Sequence, residues 1–157
     1  MTEDVWSWVV AAYGAPGVAE QCLDLQDAHE QNVPLLLWAA WAATHGPVSE
    51  GLASQAAEVA RAWSEAAIVP LRSVRRRLKQ PLSDGDEASR LALREQVKAI
   101  ELQAEKVLLE QLAGVSGAGD RLPDDTAPAA MLDAVQAVAS AWSGDYPAEK
   151  LARLTQT

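Results

Sequence analysis

The sequence predicts an all-α, single-domain helical bundle of about five to six helices, with a long αα-hairpin. Three observations carry that expectation. Apolar residues, 49% of the 157, recur at three- and four-residue spacing along most of the chain, the period of a helix face. Alanine is abundant and β-branched residues are sparse, a balance that favours helix over strand. The stretch Val33 to Ala43, VPLLLWAAWAA, is apolar at every position, and a helix apolar all round is buried all round. Eleven residues rise only about 16 Å, far short of a bilayer's roughly 30 Å hydrocarbon core. The run therefore reads as the central helix of a water-soluble domain.

The first helix begins at Thr2, with Thr2, Glu3 and Asp4 suiting a capped, negatively charged N-terminus. Trp6, Val9, Val10 and Tyr13 fall at i, i+3, i+4 and i+7 on one face. Gly14 ends it, and Pro16 and Gly17 make the turn. The second helix spans about Val18 to Gln31. Val18, Cys22, Leu25 and His29 form its inner stripe, and Glu20, Asp24 and Asp27 an acidic one. Asn32 caps the central helix, Pro34 falls in the first turn where a missing N–H costs little, and Gly46, as a left-handed residue, closes it with Pro47.

Ser49 caps a long helix with Leu52, Ala56, Val59 and Trp63 inward. Pro70 either kinks that helix or splits it near Val69, and the segment runs on as LRSVRRRLK with Leu71, Val74 and Leu78 on one face. Pro81, Ser83 and Gly85 form a loop. A second long helix runs from about Asp86 to Leu112, with Leu93, Val97, Ile100, Ala104, Val107 and Leu108 at helical spacing. The two long segments fold back on each other. A turn centred near Leu82 sets Glu58 against Lys106, Arg61 against Glu105, Glu65 against Lys98, Arg72 against Glu95 and Arg77 against Glu87.

Residues 1–113 thus read as the helical core. Residues 114–127, within GVSGAGDRLPDDTAP, carry the glycines, prolines and aspartates of a flexible linker. Residues 128–157 hold a C-terminal amphipathic helix, with Met131, Val135, Val138 and Trp142 on one face, and a tail that forms one short helix or frays.

Net charge is −9 and the pI about 4.6, which argues against nucleic acid and anionic lipid as partners. The one cysteine excludes an intrachain disulfide and a multi-cysteine metal site. The N-terminus has acids where a signal peptide needs bases, and no window is long enough to span a membrane, so a cytoplasmic protein is expected.

The blocks WSWVVAAY and PGVAE (Trp6 to Glu20), CLDLQDAH (Cys22 to His29), NVPLLLWAAW (Asn32 to Trp41), VPLRSVRRRLK (Val69 to Lys79) and VKAIELQAE (Val97 to Glu105) come in a characteristic order. Over about Glu3 to Leu112 the chain resembles a family of small proteobacterial proteins known only as a conserved domain of unknown function. The resemblance implies a bacterial origin and brings no catalytic residue with it.

Motif chemistry is sparse. Cys22 and His29 share a stripe, but seven residues of helix hold them about 10 Å apart, too far for a nucleophile and its base. His29 and His45 with Asp24 or Asp27 lack the spacing of a metal site. There is no Glu-x-x-His of a di-iron bundle, no P-loop and no G-x-G-x-x-G. Neither a cofactor nor a metal is expected. Asp27 reads as a cap for the next helix or an acceptor for a tryptophan indole. Trp6, Trp38, Trp41 and Trp63 read as core. Trp8, about 160° around the helix from Trp6, packs in a second layer or meets a partner, and Trp142 docks on the domain or on another protein.

The strongest local signal is basic. Arg72, Arg75, Arg76, Arg77 and Lys79 place five of 13 bases within eight residues, leaving 22 acids against eight bases elsewhere. Three consecutive arginines span about 200° of helix, so one neighbouring helix cannot pair them all. Arg75, Arg76, Arg77 and Lys79 are the expected partner-binding residues. The expected function is a non-enzymatic interaction protein, an adaptor or regulator that binds another protein. The alternative is a bundle that holds a small apolar ligand or lipid between its helices, and an enzyme built on scattered acids comes third.

Overall fold

The computed structural model describes residues 4–82, 85–116, 128–144 and 146–155. Among them there is no strand. The α-helices run in order: α1 Val5–Tyr13, α2 Val18–His29, α3 Val33–Ala43, α4 Glu50–Trp63, α5 Val69–Arg77, α6 Glu87–Ser116, α7 Pro128–Trp142 and α8 Ala148–Leu154. A π-helical turn, Ser64–Ile68, joins α4 to α5 without a break. The protein is all-α, and the tail does form a short helix.

Helix α3 is the hub, with all eleven residues buried. The Asn32 side chain caps it, accepting from the Leu35 N–H at 3.0 Å, and Pro34 falls in its first turn. Its far end differs from expectation. Gly46 lies at φ 158°, not in the left-handed region. The last turn closes locally instead, the Thr44 hydroxyl donating to the Trp41 carbonyl at 2.6 Å. Against α3 pack α7, α6, α1, α4 and α2.

Helix α4 meets its neighbours through alanines. Ala53, Ala56, Ala57 and Ala60 are buried, with Leu52, Val59 and Trp63 as half-buried flanks. Small side chains let α7 come close, and α4 packs extensively on α7. Ala134, Val135, Val138 and Ala139 of α7 and Leu151 and Leu154 of α8 belong to the same apolar core as α3. The core thus draws on residues well beyond position 113. Residues 114–116, expected to start a linker, continue α6, and 117–127 lie outside the described residues, as do Thr2 and Glu3.

Three expected faces are rotated. In α1 the buried pair is Val5 and Val9, while Val10 and Tyr13 are exposed. Asp4 is its N-cap, accepting from the Ser7 N–H at 2.8 Å, and that bond holds the carboxyl below its usual range. Trp6 and Trp8 straddle the Val5–Val9 stripe and both pack half-buried on the core. In α2, His29 is only half-buried. In α6 the inner stripe is Arg90, Val97, Glu101, Ala104, Leu108 and Leu112, whereas Leu93 and Ile100 are about half exposed, at 48% and 51%. The first half of α6 has little besides α5 to pack on, and α5 has no buried residue. Together they form a two-helix arm that meets the body on one side of α5, through Leu71 and the Arg76–Asp27 pair.

The hairpin is present, but none of the five expected ion pairs is found among the described residues. Arg72 and Arg75 reach Glu101, and Arg72 also approaches Glu105 at 3.7 Å. Glu87 pairs with Arg90, Lys98 with Glu95, and Arg61 goes to α7. Helical side chains lean toward their own N-termini. In this antiparallel pair the α5 side chains lean away from the turn and the α6 side chains toward it, so an α5 arginine meets an α6 residue further from the turn than Cα-level facing suggests.

Candidate functional site

The expected site residues all lie on α5 or just beyond it, but the structure divides them. Arg75 faces α6 and donates to the Glu101 carboxylate, a group only 9% exposed. It is part of the hairpin's internal seam. Arg76 points the other way and donates to Asp27 on α2 at 2.9 Å, both side chains being more than half exposed. Such a pair contributes at most about 1 kcal/mol, so a competing partner displaces it at little cost. Arg77 and Lys79 are exposed and have no ion-pair partner among the described residues. The outward basic surface is therefore Arg76, Arg77 and Lys79.

Large apolar side chains accompany it. Val69, Val74, Leu82, Leu91, Leu93, Ile100 and Leu102 are each 39% to 53% exposed, and all belong to the arm. Near the tip, Arg90 is 9% exposed. It donates to the Leu78 carbonyl and to Glu87, tying α6 to the end of α5.

At the root of the arm lies a cavity of about 280 Å³, between the α2–α3 corner, the π turn and α5. Asp27, Gln31, Ser64, Arg72, Arg76 and Trp142 contribute to its wall. The corner is held from several sides. Glu30 ends α2 in the left-handed region, φ 52°, a conformation uncommon outside glycine and asparagine. Its carbonyl accepts from the Trp142 indole N–H at 2.9 Å. Arg61 stacks on that indole at 4.5 Å and donates to the Trp142 carbonyl. Asn32 donates to the Ser64 hydroxyl at 2.8 Å, tying the start of α3 to the π turn. The π turn sits just ahead of Pro70, which has no N–H to give and crowds the preceding turn. Val69 N–H bonds Ser64 C=O, the wider five-residue step. Gln31 is 3% exposed, and neither amide atom finds a partner among the described residues. The wall is mixed and charged rather than apolar.

The remaining candidates are dispersed. Burial pushes the Cys22 thiol up to about 12, with Glu105 adding to the effect, so it stays a neutral, unreactive thiol. His29 lies 3.9 Å from Asp24, whose carboxyl is held low mainly by its bond from Lys150 of α8. His45 is buried beyond the other end of α3, its ring centroid 4.7 Å from that of Trp41. No group of three or more metal-binding side chains gathers among the described residues. Asp27 neither caps α3 nor meets an indole. It takes Arg76, while the indole N–H groups of Trp63 and Trp142 go to backbone carbonyls. Sequence reasoning missed the cavity. The one local signal was Pro70 inside a helical pattern, which marks an irregular turn there but not what that turn faces.

This is a helical body bearing a basic two-helix arm. The chain belongs to the family described as Protein of unknown function (DUF2390), which matches residues 4–112. That span covers α1 to α5 and most of α6, with the arm and the cavity wall apart from Trp142, and stops short of α7. No curated protein and no solved structure matches the chain.

Proposed function

We propose that this is a non-enzymatic interaction protein, an adaptor or regulator, whose α5 arm binds an acidic surface on another protein. The observation that supports it most is the pair Arg77 and Lys79, exposed, without an ion-pair partner among the described residues, and on the same arm as several half-exposed apolar side chains. The net charge of −9 repels a long polyanion but leaves a local basic patch able to steer a folded acidic partner. The alternative of an apolar ligand gains little from the cavity, whose wall includes Asp27, Arg72 and Arg76. We take the protein to be bacterial and cytoplasmic, the first from the family resemblance. The second is compatible with a chain in which no described helix is long and apolar enough to cross a membrane.

The test is the double change Arg77→Ala and Lys79→Ala, leaving Arg75 in its seam. The variant should keep wild-type helicity and melting, and should lose the proteins that the wild type retains from a native lysate. With a purified partner, its association should slow at least tenfold while dissociation changes less. Retention of the same partners by the folded variant contradicts the proposal.

A further inference from the structure

We infer that the outer face of α6 pairs with the same face of a second copy of this chain, antiparallel, about a two-fold axis between Gln96 and Val97. The stripe consists of Leu91, Glu95, Lys98 and Leu102, at i, i+4, i+7 and i+11, a single helix face. It lies well round the helix from the inner stripe of Val97, Glu101 and Ala104. All four side chains are open. Leu91 is 49% and Leu102 53% exposed, and the Glu95 and Lys98 side chains are 66% and 47% exposed.

The order of the four residues is what selects the occupant. An isologous contact requires a patch complementary to itself under a two-fold rotation. Reversed end to end about its midpoint, this stripe sets Leu91 on the partner's Leu102 and Glu95 on the partner's Lys98, each twice. Apolar meets apolar and opposite charges meet, with no like pair. A parallel arrangement in register sets Glu95 on Glu95 and Lys98 on Lys98 and is disfavoured. Within one chain, Lys98 already reaches back to Glu95 at 3.5 Å. That contact is exposed and weak, so exchanging it for the partner's costs little.

A contact made chiefly by one helix from each copy falls at the small end of specific interfaces, below about 1,200 Å². Self-association is accordingly weak, with a dissociation constant in the micromolar range or above. The face lies on α6 and does not use Arg77 or Lys79, so this inference and the proposed function fail separately.

The experiment is sedimentation velocity on the full chain from about 1 to 500 µM, with a charge-exchange series. The wild type should pass from monomer to dimer across that range. Glu95→Lys alone and Lys98→Glu alone each create like-charge pairs twice over and should weaken dimerisation at least tenfold. The double variant Glu95→Lys with Lys98→Glu restores opposite pairing and should return to within about threefold of wild type. Arg77→Ala with Lys79→Ala should leave dimerisation unchanged. A second readout does not depend on the charge variants folding equally well. Leu91→Cys and Leu102→Cys chains, mixed and oxidised, should cross-link to each other in preference to themselves. Overturning results are a wild type that stays monomeric to 500 µM, a double variant no better than either single, or cysteine chains that cross-link to themselves as readily as to each other.

Discussion

Glu105 is a carboxylate that the fold makes uncomfortable. It sits on α6 where the helix enters the body, its side chain 25% exposed and 3.7 Å from Arg72. Burial raises its pKa from 4.5 to about 7, and the neighbouring Glu101 adds to the rise against the opposing pull of Arg72 and Arg75. The folded state therefore holds this proton more tightly than the unfolded chain. The contribution of Glu105 to stability is fullest below about pH 4.5, falls as pH rises toward 7, and is level above that. At 1.36 kcal/mol per pH unit the full rise corresponds to about 3 kcal/mol. Solvent reaching a quarter of the side chain reduces this to about 1–2 kcal/mol. Glu105→Gln keeps the shape and removes the charge. Urea denaturation should show the variant about 1–2 kcal/mol more stable than wild type at pH 8 and no more stable at pH 5. Taking the difference between the two proteins removes the titration of Asp4 and Asp24, which both share. A variant destabilised equally at both pH values refutes the reasoning and makes the Arg72 contact the dominant effect.

Three more predictions concern the core and the arm. Trp38 is fully buried in α3, so Trp38→Ala should cost about 3–5 kcal/mol, read as a large fall in the denaturation midpoint. A chain ending at Leu112 would uncover the parts of α3 and α4 against which Val135 and Val138 pack. It should show a broadened thermal transition and bind a hydrophobic dye, although the family match ends at that residue. Arg90→Ala removes the bond to the Leu78 carbonyl near the arm's tip and should cost about 1–2 kcal/mol. Amide exchange in α5 should speed up, and that in α3 by no more than the fall in global stability.

The elements with strong local signals were readable from the residues alone. Asn32, Pro34 and the unbroken apolar run fixed α3 to the residue, because cap chemistry and burial on every side agree. Ser49 likewise marked the start of α4. What sequence could not supply was the direction each helix faces when several apolar stripes compete. Leu93 and Ile100 keep the period of a core stripe, yet the body ends before it reaches them, and only the tertiary arrangement shows where it ends. The ion pairs failed for a related reason, since numbering across a turn ignores the lean of long side chains along their helices. In the basic cluster three consecutive arginines do not face one helix: Arg75 meets α6, Arg76 meets α2 and Arg77 is exposed. Which of them turns inward, Arg75, depended on the position of Glu101, a charge in a stripe otherwise mostly apolar. The cavity needed residues 27, 64, 72 and 142 brought together, a juxtaposition no local pattern carries.

The protein consists of a body around α3 and an arm, α5 with the first half of α6, that among the described residues has few contacts with that body. Native-state hydrogen exchange, read peptide by peptide, tests this division most directly. Residues 33–43 should exchange only through global unfolding, with an opening free energy equal to that from denaturation. Residues 69–82 and 87–96 should exchange several kcal/mol earlier, at concentrations where the chain is monomeric. If the arm proves as protected as α3 under those conditions, it is part of the core and the account is wrong.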